Sequence, residues 1–85
     1  MPRVQKQQDA DILENIARLG VLIKLHRMQR GLTQRELAER AKISTDRVAR
    51  YESGSVDPPF SAILQIAKAL GVKVADLLRH EAIEV

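Results

Sequence analysis

The chain of 85 residues contains no cysteine and no tryptophan, and Tyr51 and Phe60 are its only aromatic side chains. Without Cys there is no disulfide framework, no zinc–thiolate site and no thiol redox switch. So few aromatic residues argue against a β-sandwich or barrel, whose strands favour aromatic and β-branched side chains. The longest apolar runs, such as Val21-Leu22-Ile23, are far too short to span a bilayer. The opening segment MPRVQKQQDAD is polar and is not expected to act as a secretory signal. His26 and His80 are the only histidines, and neither a Gly-rich phosphate loop nor a nucleophile–base set is present. No metal, cofactor or enzymatic activity is therefore expected.

What remains is short, apolar enough to fold and nearly balanced in charge. The length allows one domain. A domain of this size buries only about 60% of its unfolded surface, so it needs tight packing or a partner subunit. The expectation is a cytoplasmic, all-α single domain. Fourteen basic residues against eleven acidic ones leave a net charge of +3. Its distribution is uneven. From Lys24 to Arg50 there are eight basic residues and three acidic ones (Glu36, Glu39 and Asp46), whereas the rest of the chain is mildly acidic. A basic stretch of this kind is either a set of solvated helix faces or a surface for a polyanion.

Local signals divide the chain into five helices. Residues 1–10 lack apolar periodicity and read as a flexible arm, with residues 11–80 as the folded domain and 81–85 as a tail. Asp11 and Glu14 form a capping-box pattern ahead of Ile12, Ile16, Leu19 and Ile23, and Gly31 is suited to end that helix. Thr33 with Glu36 opens a second helix whose inner face is Leu37, Ala38 and Ala41. Ser44 opens a third, with Val48 and Tyr51 inward, that stops at Gly54. A fourth helix, Pro59 to Leu70, is expected to bury Phe60, Ile63, Leu64, Ile66, Ala67 and Leu70. A short fifth covers about Val74 to His80.

The segment Gln34 to Glu52, QRELAERAKISTDRVARYE, carries the functional signal. Two helices joined by so short a connection cross steeply, and Ala38 is small enough for close approach. Leu37, Ala41, Ile43, Val48 and Tyr51 are apolar where the helices meet each other and the core. Thr45, Asp46, Arg47 and Arg50 are left outward on the second helix, the arrangement that a reader of the DNA major groove needs.

With these residues in place, the sequence resembles the Cro/CI-type (XRE-type) helix-turn-helix regulators over roughly residues 19–78. The resemblance implies a five-helix, lambda-repressor-like DNA-binding domain. Gly20, Ile23, Lys24 and Arg27 match the family's first-helix pattern, and Arg27 is implied to pair with Glu52. Thr33 and Gln34 are implied to set the start of the second helix on a phosphate, with Gln34 bridging toward the reading helix. Thr45, Asp46 and Arg50 occupy base-reading positions, and Arg47 meets a base or a phosphate. Lys42, Ser44, Ser53 and Ser55 complete the implied DNA surface.

Three positions depart from the family pattern. Lys42 replaces the usual Gly of the turn, which costs about 1 kcal/mol if the backbone there is left-handed. His26 stands where a core Leu is usual. The first helix is apolar nearly all round, including Val21, Leu22 and Leu25 at positions that are usually polar. Either the chain's own ends cover that stripe, or it joins Leu77, Leu78 and Ile83 in a subunit interface. The resemblance favours a homodimer on a two-fold symmetric operator, regulating transcription by blocking or recruiting polymerase, in the nucleoid of the cytoplasm. The alternative is an antitoxin-type module that binds a protein partner such as a toxin as well as its own operator. Restriction-modification controllers and phage repressors are similar in size.

Overall fold

The computed structural model describes residues 2–78, with side chains from residue 10 onward. Five helices follow in order, α1 (Pro2–Gln29), α2 (Gln34–Ala41), α3 (Thr45–Ser53), α4 (Phe60–Leu70) and α5 (Val74–Leu77), and no strand occurs among the described residues. The all-α expectation holds.

The first helix differs from its sequence reading. It begins at Pro2 rather than at Asp11, so the segment 2–10 expected as an arm forms the first turns of α1. The physical reason is local. Pro is favoured at the first helical position, and the following Arg, Gln, Lys and Ala residues are good helix formers with no breaker among them. Asp11 is consequently interior, and its carbonyl accepts from Asn15 Nδ2 at 2.9 Å.

The later helix starts follow their caps. Thr33 Oγ1 accepts from the Glu36 amide at 3.0 Å while a Glu36 carboxylate oxygen accepts from the Thr33 amide at 2.8 Å, a complete capping box. Ser44 Oγ accepts from the Arg47 amide at 3.1 Å. The ends of α1 to α4 share one device. A left-handed residue follows each helix, and the next amide reaches back to a carbonyl five residues earlier: Leu32 to Arg27, Ile43 to Ala38, Ser55 to Arg50 and Val72 to Ala67. Gly fills the left-handed position three times. Lys42 fills it after α2, at φ 61°.

The core is formed by Leu19 and Ile23 of α1, Leu37, Ala38 and Ala41 of α2, Val48 and Tyr51 of α3, Ala62, Ile63, Ile66, Ala67 and Leu70 of α4, and Leu77 of α5, with Leu32 from the connection. Two expected core residues are outside it, Phe60 at 61% and Leu64 at 46% exposure. Phe60 is the first residue of α4, and Leu64 is four residues on along the same stripe, turned away from Ile63 and Ile66. Leu77, expected as a candidate interface residue, is fully buried, because α5 docks on α1 and α4 through it. The expected extension of α5 to His80 is not seen up to Leu78, and His80 and Ile83 lie outside the described residues.

The outer face of α1 is apolar. Val21, Leu25 and Met28 are about half exposed or more, as are Ile12 and Leu13. Leu22 is half-buried. His26 is half-buried as well, and its Nδ1 is enclosed with no hydrogen-bond partner among the described residues. Among those residues no helix is long and apolar enough to cross a membrane.

Candidate nucleic-acid interface

The site is built from the packing of α3. Val48, Tyr51 and Glu52 are buried along one side of that helix. Thr45, Asp46, Arg47 and Arg50 are exposed along the other. Periodicity places Asp46 and Arg50 opposite the apolar inner face at 48 and 51, while Thr45 and Arg47 are exposed in the helix's first turn. The N-terminal turn of α3 carries most of these exposed groups, and that is the end of a recognition helix that reaches base edges.

Glu52 anchors the unit. It is 8% exposed and accepts from three donors. Arg27 Nε donates to Glu52 Oε2 at 2.6 Å and Arg27 Nη2 to Oε1 at 3.0 Å, a two-point contact between α1 and the end of α3. Gln34 Nε2 donates to Oε1 at 3.0 Å, so the first residue of α2 is tied to the end of α3. Arg27 Nη1 also donates to the Leu32 carbonyl at 2.7 Å, which holds the connection leading into α2. One carboxylate thus ties α1, α2 and α3 together.

A second close contact acts beside it. A β-carbon added to Gly20 would lie 2.3 Å from the Tyr51 carbonyl oxygen and 2.7 Å from that of Glu52. Only a residue without a side chain lets α1 approach the backbone of α3 this closely.

The exposed groups fall into separate clusters. Asp46, Arg47 and Arg50 line an open concavity with Tyr51, Val56, Asp57 and Pro59. Within it Arg50 Nε donates to Asp46 Oδ2 at 2.7 Å. Lys42 does not join this group. It lines a different open cavity of about 430 Å³ with Arg40, Gln65 and Lys68. Ser44 caps α3 through its hydroxyl. Ser53 Oγ donates to the Arg50 carbonyl at 3.1 Å and lies in hydrogen-bond contact with Ser55 Oγ. Thr33 caps α2, and its hydroxyl is engaged by the Glu36 amide. The sequence reading missed Asp57. It sits in the loop before α4, and no local pattern in Ser55–Pro59 announces that this loop folds back beside Arg47 and Arg50.

Electrostatics at the start of α2 agree with the geometry. The Glu36 carboxyl is held below its ordinary value of 4.5, first by the hydrogen bond from the Thr33 amide, then by Thr33's side chain, with Arg40 adding a smaller favourable field.

This arrangement has known counterparts. Residues 18–80 match the family model described as a helix-turn-helix domain. The chain is 34% identical over 59 residues to an HTH-type transcriptional regulator of Methanocaldococcus jannaschii, a match covering 69% of this chain and 89% of that protein. It is 35% identical over 65 residues to the immunity repressor protein of Bacillus phage phi105, covering 76% of this chain but 45% of the repressor. Among solved structures, a hypothetical transcription factor from Neisseria superposes with a TM-score of 0.77 at 28% identity, over 82% of this chain and 80% of that one. The restriction-modification controller protein C.AhdI from Aeromonas hydrophila gives 0.74 at 25% identity, over 75% of this chain and 97% of its own. The chain belongs to the helix-turn-helix domain family, as an XRE (Cro/CI-type) member. It is a DNA-binding transcriptional regulator, with α2 and α3 as the helix-turn-helix.

Proposed function

We propose that the protein represses transcription as a homodimer bound to a two-fold symmetric operator, with α3 of each subunit in the major groove. The observation that carries this reading is the division of α3 into a buried side locked at Glu52 and an exposed edge of Thr45, Asp46, Arg47 and Arg50. Arg50 and Arg47 are the base-reading candidates. Thr33 and Gln34 at the start of α2, Lys42 after it, Ser44 at the start of α3, and Ser53 with Ser55 after it are the candidates for backbone contact. The free amides at the N-termini of α2 and α3 suit phosphate. One recognition helix reads only a few base pairs, so a second copy is needed for a useful operator. Val21, Leu25 and Leu78, exposed, with half-buried Leu22, are the candidate surface for that copy. The repressor role draws on the phage relative, whose name states it, and a DNA-bound regulator of this kind acts in the cytoplasm at the nucleoid.

The test is selection of bound duplexes from a random pool, together with light scattering of the protein alone and a reporter gene placed behind the selected site. A palindromic site, a two-subunit mass and lowered reporter output support the reading. A non-palindromic site, a monomer at micromolar concentration or raised output each remove the corresponding part. Binding that is insensitive to salt would count against phosphate contact altogether.

A further inference from the structure

The bond between Asp46 and Arg50 is the least expected feature of the reading edge. An acidic side chain on a surface that meets a polyanion lowers affinity, yet Asp46 is 72% exposed and Arg50, its partner, 57%. An exposed ion pair at this spacing adds little to stability. Its geometry is more informative. A guanidinium has one donor on Nε and two on each Nη. The Asp46 bond uses Nε, and among the described residues neither Nη of Arg50 has a hydrogen-bond partner. The edge left open, Nη1 with Nη2, is one that can span O6 and N7 of guanine. Asp46 also stands one turn nearer the N-terminus of α3, the end that enters the groove, so the bond draws Arg50 toward the base edges.

We propose that Asp46 is a positioning residue for Arg50: it fixes the guanidinium end-on for a guanine and withholds it from phosphates. This rests on α3 being the major-groove helix. Two effects follow from the one bond. Arg50 carries several rotatable bonds, and fixing them before binding lowers the ordering needed at the guanine. The neighbouring negative charge offsets the attraction of Arg50 for any phosphate, whereas the two-point bond to guanine keeps its directionality. Asp57 and Arg47 line the same concavity, so the local charge is balanced rather than strongly basic. Such a surface favours discrimination over total affinity.

The experiment compares the wild-type protein with Asp46→Ala, Asp46→Asn and Arg50→Ala. Each is titrated with the selected site, with versions in which each G·C pair is replaced, and with random duplex, across a range of salt. Arg50→Ala is expected to flatten preference at one G·C pair. Asp46→Ala is expected to lower discrimination at that same pair by about two- to threefold, the scale of an exposed ion pair at this spacing. It should also tighten binding to random duplex and steepen its salt dependence by about one phosphate contact. Asp46→Asn retains a carbonyl oxygen that accepts from Nε and should keep the base-pair discrimination, but without the charge it should bind random duplex as tightly as Asp46→Ala does. In the Arg50→Ala background, Asp46→Ala should leave that base pair unchanged. A merely structural role for Asp46 would move thermal stability and not the base-pair ratio. The proposal is overturned if Asp46→Ala discriminates like the wild type, if Asp46→Asn falls with Asp46→Ala, or if Arg50→Ala flattens no pair. A wild-type protein with no sequence preference would instead remove the major-groove reading, and this proposal with it.

Discussion

Glu52 and Arg27, 25 residues apart in sequence, meet through two hydrogen bonds of 2.6 and 3.0 Å, with side-chain exposures of 3% and 11%. Removing one member of a buried charge pair leaves the other without compensation, which typically costs roughly 3–5 kcal/mol. Arg27→Ala is expected to lie near the lower figure, because Gln34 still donates to Glu52. Urea unfolding measures it. The Arg27→Ala, Glu52→Gln double variant should lose clearly less than the sum of the two singles, since the shared contact is lost only once. Additive losses would show that the two side chains act independently.

Gly20→Ala tests the other link between α1 and α3. The added carbon would sit 2.3 Å from a backbone oxygen, and a backbone cannot swing away as a flexible side chain can. The helices must separate, so a loss of at least about 3 kcal/mol is expected, within the range of severe overpacking. Circular dichroism during thermal unfolding gives the answer, and wild-type stability for this variant would contradict the close approach.

Lys42→Gly relieves a side chain from the left-handed region at φ 61°. The gain is expected to be about 0.5–1 kcal/mol, reduced from the full conformational penalty because Gly is freer in the unfolded chain. The same variant tests the placement of Lys42 away from the reading edge. If Lys42 touches a phosphate, the slope of log K against log salt falls by about 0.9. If it serves only the Arg40–Lys68 cavity, the slope stays as it was.

The α2 capping box confers pH dependence of a definite sign. Glu36 titrates lower in the folded protein than its ordinary 4.5, because the Thr33 amide and hydroxyl favour its charged form. A depressed folded value means the stabilisation is present above pH 4.5 and is lost as pH falls through the folded value. The stability difference between wild type and Glu36→Gln should therefore be constant near neutrality and shrink below about pH 4.5. A difference that grows on acidification would reverse the assignment.

Much of the fold was legible without coordinates because its signals are local. Thr33 with Glu36, and Ser44, mark helix starts through side-chain-to-backbone bonds that close within three residues. Gly31 and Gly54 mark helix ends through a conformation that Gly adopts freely. The reading of α1 failed where two local signals competed. The Asp11–Glu14 pattern is a valid start, but Pro2 and an unbroken run of helix formers provide an earlier one. Phe60 and Leu64 were misplaced because hydrophobicity by itself does not say which side of α4 faces the core. Leu77 and Leu78 are adjacent and equally apolar, and only the docking of α5 on α1 separates a buried residue from an exposed one.

The amino-acid sequence by itself determined the number of helices, where α2, α3 and α4 begin and end, and the set of polar residues carried on α3, because caps, glycines and periodicity act over a turn or less. Tertiary structure decided which charges are neutralised and by whom. Arg27 turns inward to Glu52, Gln34 joins them, and Lys42 departs to another cavity, whereas the Arg50–Asp46 pair, four residues apart on α3, follows from helix spacing alone. Those choices depend on distances between elements far apart in the chain, and on which side chains share a wall once the helices have packed. A list of residues does not contain that information until the core has closed.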